Sequence, residues 1–80
     1  MKIKVKCFSQ VKYAIEKDQL IINLREGSDT SDIEEIIREK AKGRLDGVRL
    51  RTALNKVYIT NPVVVKDGDE VAFIPPVQGG

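Results

Sequence analysis

Lys2 to Phe8 alternates strictly, with Ile3, Val5 and Cys7 on one side and Lys2, Lys4, Lys6 and Phe8 on the other. That period of two predicts a half-buried first strand. Ser9 to Asp18 has no clear period and reads as a loop holding a helical turn around Val11 to Ile15. Leu20, Ile22 and Leu24 alternate again and predict a second strand returning antiparallel beside the first, ended by Glu26-Gly27-Ser28-Asp29. The period then changes. Ile33, Ile36, Ile37 and Ala41 stand at i, i+3, i+4 and i+8 among charged residues, the signature of an amphipathic helix. Thr30 or Ser31 is the expected N-cap, Ser31 and Glu34 have capping-box spacing, and Gly43 suits the C-terminal end.

Leu50 to Leu54 and Val57 to Ile59 flank Asn55-Lys56, which predicts a hairpin without the favoured glycine at its second turn position. Val63 to Val65 reads as a short edge segment, Lys66-Asp67-Gly68-Asp69 as a turn, and Glu70 to Ile74 as a final strand ended by Pro75-Pro76. Both faces of that last strand are apolar, as in a central strand. Hairpin, helix and further strands, with the last strand parallel to the first, make an α+β fold of β-grasp (ubiquitin-like) type. Its mixed sheet of four to five strands packs on one main helix. Residues 1–75 form the domain and 76–80 a tail ending in Gly79-Gly80.

Composition narrows the function. Eighty residues with 41% hydrophobic and 32% charged make one folded domain with a small core. A formal charge of +2 argues against nucleic-acid binding, and no apolar run approaches the ~20 residues of a membrane span. One cysteine and no histidine leave neither an internal disulfide, nor an ordinary zinc site, nor a histidine-dependent triad. The unpaired thiol and the charged start of the chain fit a cytoplasmic protein. Cys7 itself reads as a core hydrophobe, Asp67, Asp69 and Glu70 as solvated turn acids, and Arg44, Arg49 and Arg51 as at most a weak anionic contact that is assigned no site.

The chemistry is expected in the tail. Each proline of Pro75-Pro76 holds φ near −65° and stiffens the exit from the sheet. Gly79 and Gly80 lack a Cβ and fit a channel too narrow for other residues. Val77 and Gln78 complete the segment that carries the Gly80 carboxylate. Strand parity places Phe8 and Ile74 on the sheet face away from the helix, where with Val77 they form an apolar surface suited to partner docking.

The run Asp67 to Gly80, DGDEVAFIPPVQGG, resembles the C-terminal signature of the MoaD-type small subunit of molybdopterin synthase, in the MoaD/ThiS sulfur-carrier family. Val5 to Lys12, with Phe8, Gln10 and Val11, is similar to the first strand and loop of that family. Gln78 stands where a small residue is common, and Ile74 where an aromatic one is frequent. The resemblance implies a sulfur carrier with no bound cofactor. A MoeB-type adenylating partner would use ATP to activate Gly80, a sulfur donor would make the thiocarboxylate, and a MoaE-type large subunit would receive it. That large subunit would hold the catalytic pocket of the sulfurtransferase. A ThiS-like or ubiquitin-like carrier for thiazole synthesis, tRNA thiolation or protein modification would use the same terminus. A noncatalytic β-grasp interaction module would not, and deletion of Gly79 and Gly80 separates these readings.

Overall fold

The computed structural model describes residues 1–76. The elements run β1 (Lys2–Cys7), α1 (Ser9–Ile15), β2 (Gln19–Asn23), α2 (Thr30–Lys40), β3 (Arg51–Leu54), β4 (Val57–Ile59) and β5 (Glu70–Ile74). The strands form one five-stranded sheet in the order β2-β1-β5-β3-β4. β1 pairs antiparallel with β2 and parallel with β5, while β3 pairs antiparallel with β4 and β5. This is the expected β-grasp arrangement, with the doubly apolar β5 at its centre. Among the described residues no helix is long and apolar enough to cross a membrane.

The alternation in β1 becomes burial: Ile3, Val5 and Cys7 point into the core, joined by Val71 and Phe73 of β5. α2 covers them with Ile33 and Ile37, and Ala41, Leu45, Val65 and Val11 close the edges. Each fully buried side chain of this size is worth about 1.5–3 kcal/mol, so a domain this small depends on nearly all of them.

The segment after β1 holds a full short helix rather than a single turn. α1 buries only Val11 and Ala14, two positions too few to reveal a period in the sequence, and ends on Glu16 in the left-handed region (φ 64°). α2 is capped one residue earlier than its sequence suggests. Asp29 accepts from the N–H groups of Ser31 and Asp32 at 2.9 and 3.0 Å, and Asp32 accepts from the Asp29 N–H at 2.9 Å. The reciprocal box is therefore Asp29/Asp32, and not Ser31/Glu34. Thr30 is engaged elsewhere: it is buried, and its Oγ1 accepts from the Val63 N–H at 3.1 Å.

That same contact explains why residues 63–65 make no edge strand of the sheet. They pair with the entry to α2 through a single antiparallel bridge, Asp29 to Val64, and the Val65 N–H donates to the Ser28 carbonyl at 3.0 Å. At its far end α2 closes on Ala41 in the right-handed region, and Gly43 (φ 89°) lies beyond the cap. Arg38 secures the turns that follow, donating to the Leu45 and Val48 carbonyls at 2.7 Å each and to Glu34 at 2.9 Å.

Candidate carrier terminus and docking face

β5 is held on three sides as it approaches its exit. Its neighbours are β1 and β3, and the turn before it is tied to the start of β1. The Lys2 N–H donates to Asp67 Oδ1 at 2.7 Å, the Gly68 N–H to the Lys2 carbonyl at 2.8 Å, and the Lys4 N–H to the Asp69 carbonyl at 3.0 Å. Gly68 takes φ 88° in that turn, a conformation glycine adopts without strain. Asp69 also accepts from Asn55 Nδ2 and the Lys66 N–H, which hold its carboxyl below the usual range. Two of the three acids that superficially suggest a cation site are thus occupied by backbone and amide donors. Among the described residues no group of three or more metal-ligating side chains comes together.

The exit itself is at Pro75, which is buried, and Pro76, which is exposed. Val77, Gln78, Gly79 and Gly80 lie outside the described residues.

The register locates the candidate docking face. Cys7 pairs with Phe73 across β1 and β5, so Phe8 and Ile74 occupy the next positions on the two strands. Phe8 has extended backbone (φ −127°, ψ 148°), so the alternation continues through it onto the face opposite α2. It is 45% exposed, and Ile74 is half-buried. The face then extends across the sheet: Ala72 pairs with Ala53 and Ala53 with Tyr58. Tyr58 is exposed, and the Arg51 guanidinium lies over its ring at 3.9 Å from the centroid. The sequence reading found Phe8 and Ile74 and missed Ala53, Tyr58 and Arg51. The signal was the small-residue pair Ala53 and Ala72, visible only once β3 and β5 are in register.

The remaining singled-out residues take structural parts. Cys7 is 2% exposed, and burial first, then the nearby Asp18 charge, push its thiol pKa up. A thiol so placed is a poor nucleophile. Arg44 donates to the Ala14 carbonyl at 3.1 Å and so ties α1 to the turns after α2. Lys2 and Lys4 are exposed and Lys6 half-buried along the outer face of β1.

A central strand that leads to Pro75 and Pro76 beside an apolar sheet face makes this a β-grasp domain. The comparisons with known proteins agree with that geometry. The sequence matches the ThiS family over residues 5–80. It is 37% identical to the molybdopterin synthase sulfur carrier subunit of Chlamydomonas reinhardtii, with all of both chains covered. Among solved structures, a candidate molybdopterin converting factor subunit 1 from Pyrococcus furiosus superposes with a TM-score of 0.84 at 28% identity, covering 96% of this chain and 99% of that one. The protein–protein complex of subunits 1 and 2 of the molybdopterin-converting factor from Helicobacter pylori 26695 matches with a TM-score of 0.69 at 30% identity, over the whole of both chains. The chain belongs to the ThiS family.

Proposed function

We propose that this chain is the sulfur carrier subunit of a molybdopterin synthase, with the Gly80 carboxylate as its working group. The observation that carries the reading is the placement of β5: a central strand leading through Pro75 and Pro76 to a Gly79-Gly80 end, beside a face that exposes Phe8. A relative 37% identical over its whole length carries that function by name.

A carboxylate is a poor electrophile, because it is negatively charged and would have to expel oxide. In the proposed cycle a MoeB-type partner lets the Gly80 carboxylate attack the α-phosphorus of ATP, releasing pyrophosphate and leaving an acyl-adenylate. Nucleophilic sulfur from a donor then attacks the acyl carbon, and AMP departs as a stabilised leaving group. The partner's donors stabilise the oxyanion of the tetrahedral intermediate. The resulting thiocarboxylate enters a MoaE-type large subunit and gives its sulfur to a pterin precursor. Phe8 and Ile74 dock the partner, while Val77, Gln78 and Gly79 thread the narrow channel to the reacting atoms.

Nothing in this scheme asks the carrier for a base, a metal or a bound cofactor; ATP belongs to the activating partner. Intact mass after incubation with ATP, a MoeB-type enzyme and a sulfur source tests it. The expected product carries sulfur in place of one terminal oxygen, and the chain lacking Gly79 and Gly80 gains none. An unchanged terminus in the presence of an enzyme competent on its own carrier overturns the reading.

A further inference from the structure

Tyr58 stands on β4, the three-residue strand at the edge of the sheet, with Ala53 as its cross-strand partner. A single methyl group beside it cannot hold a ring in place, so a tyrosine so situated would ordinarily turn between rotamers in solvent. Here the ring is held from the diagonal position, which long side chains can reach. Arg51, two residues before Ala53 on the same face of β3, lays its guanidinium over the ring at 3.9 Å from the centroid. Among the described residues Arg51 enters no ion pair, so no carboxylate draws it away from the stack.

On β5 Arg51 pairs with Ile74, and Ala53 with Ala72. The two alanines face away from α2 and yet are only 6% and 8% exposed, so larger side chains lean over them. They make a low floor, with Phe8 and Ile74 at one side and Tyr58 at the other. Tyr58 is still 48% exposed with one ring face covered by Arg51.

We propose that Arg51 is a positioning residue for docking: it fixes Tyr58 as a preformed aromatic anchor for the MoaE-type large subunit. The inference rests on the carrier reading above and extends its docking surface from Phe8 and Ile74 across β5 and β3 to the sheet edge. A partner that closes over an ordered ring does not have to immobilise it, whereas each side chain that must be ordered on binding lowers affinity. Tyrosine is also among the residues that most often concentrate binding energy at an interface. The stack draws on the quadrupole of the ring, so it asks for no charged group across the interface.

The test is calorimetry with the large subunit of the same organism. Both side chains are exposed, so the melting temperatures of the variants are expected to stay near that of the parent chain. Arg51→Gln keeps much of the side-chain length without the cation and is expected to raise Kd about three- to fivefold. Arg51→Lys, still a cation, raises it less, and Tyr58→Phe, which keeps the ring face, stays within about twofold of the parent. In a Tyr58→Ala background Arg51→Gln changes nothing further, because the ring through which it acts is gone. NMR supplies a signature that a general structural effect would not: the Arg51 side-chain protons are shifted upfield by the ring in the parent and return to ordinary positions in Tyr58→Ala.

Parent affinity in folded Arg51→Gln, beside a loss in Phe8→Ala, overturns the positioning role and spares the docking face. An equal loss from Arg51→Gln with and without the Tyr58 ring also overturns it, since Arg51 would then touch the partner itself. So does the absence of the ring shift. A parent chain that does not bind a large subunit competent with its own carrier overturns both this inference and the carrier reading.

Discussion

Asn55 and Asp69, fourteen residues apart, join the β3–β4 turn to the turn that launches β5: Asn55 Nδ2 donates to Asp69 Oδ1 at 3.0 Å. The same Asn55 accepts from the Glu70 N–H through Oδ1 at 2.9 Å, and its own N–H donates to the Glu70 carbonyl at 2.8 Å. Asn55 sits at φ 49°, in the left-handed region that asparagine tolerates better than most residues. One amide thus serves the hairpin turn and the root of the carrier strand together.

Asn55→Ala is expected to lose both side-chain bonds and the backbone preference, at a cost of about 1–3 kcal/mol in urea denaturation. Asn55→Gly keeps the turn conformation and loses less. The pH dependence follows from Asp69, whose pKa is lowered mainly by Asn55 and then by the Lys66 N–H. A lowered folded pKa means that the stabilisation is present above the unfolded carboxylate value and is lost as pH falls through the folded one. The stability gap between the parent chain and Asp69→Ala is expected to be full at neutral pH and to shrink below about pH 4, measured by thermal melts. A gap that stays constant into acid contradicts this assignment.

Arg38 makes three hydrogen bonds, to Glu34, Leu45 and Val48, and they hold the turns of residues 41–48 against α2. Arg38→Ala leaves two carbonyls without their charged donor, with an expected cost of about 2–3 kcal/mol. Arg38→Lys has one compact ammonium in place of a planar fork and recovers less than half of that loss. Hydrogen exchange should quicken in residues 41–48 before it does in β1 or β5, a local opening that would separate this clamp from a general core defect.

The parts of this fold that were legible in the sequence are those where one physical signal acts alone. β1 alternates because one face is buried and the other is wet, and β5 reads as central because Val71, Ala72, Phe73 and Ile74 leave neither face polar. Failures fell where two partners compete for one group. Thr30 looked like a cap, but its hydroxyl accepts from Val63, thirty-three residues away, and the cap passed to Asp29. Arg38 carried no periodic signal, since its targets are backbone carbonyls that any sequence supplies. On the outer sheet face, the placement of Phe8 and Ile74 was readable from strand parity alone. Tyr58, Arg51 and Ala53 needed the β3–β5 register, which the sequence pattern leaves open.

Cys7 is expected to be chemically quiet in the folded protein. Its pKa is raised by burial and by Asp18, so the thiolate fraction at neutral pH is small and access is closed. Iodoacetamide should modify it at least about tenfold more slowly in the native chain than in urea. Cys7→Ala should lose about 1–2 kcal/mol of stability while still accepting sulfur at Gly80. Rapid native alkylation, or loss of sulfur loading in a folded Cys7→Ala chain, would assign the thiol a chemical role.

Phe8 gives the cleanest separation of docking from folding. It is 45% exposed at the end of β1, so truncation to alanine removes little core contact and should cost less than about 1 kcal/mol. Ile74 lies in the next position on β5, half-buried between β1 and β3, and its truncation should cost about twice as much. At an interface the order reverses, because a solvent-facing aromatic loses its water only when a partner covers it. Phe8→Ala is expected to weaken binding to a MoaE-type large subunit by about thirtyfold or more in calorimetry, with the melting temperature nearly unchanged. Phe8→Asp should abolish binding altogether, because it places a charge beneath an apolar contact. Native affinity in both variants would remove the sheet face from the docking surface and leave the tail to make the complex alone.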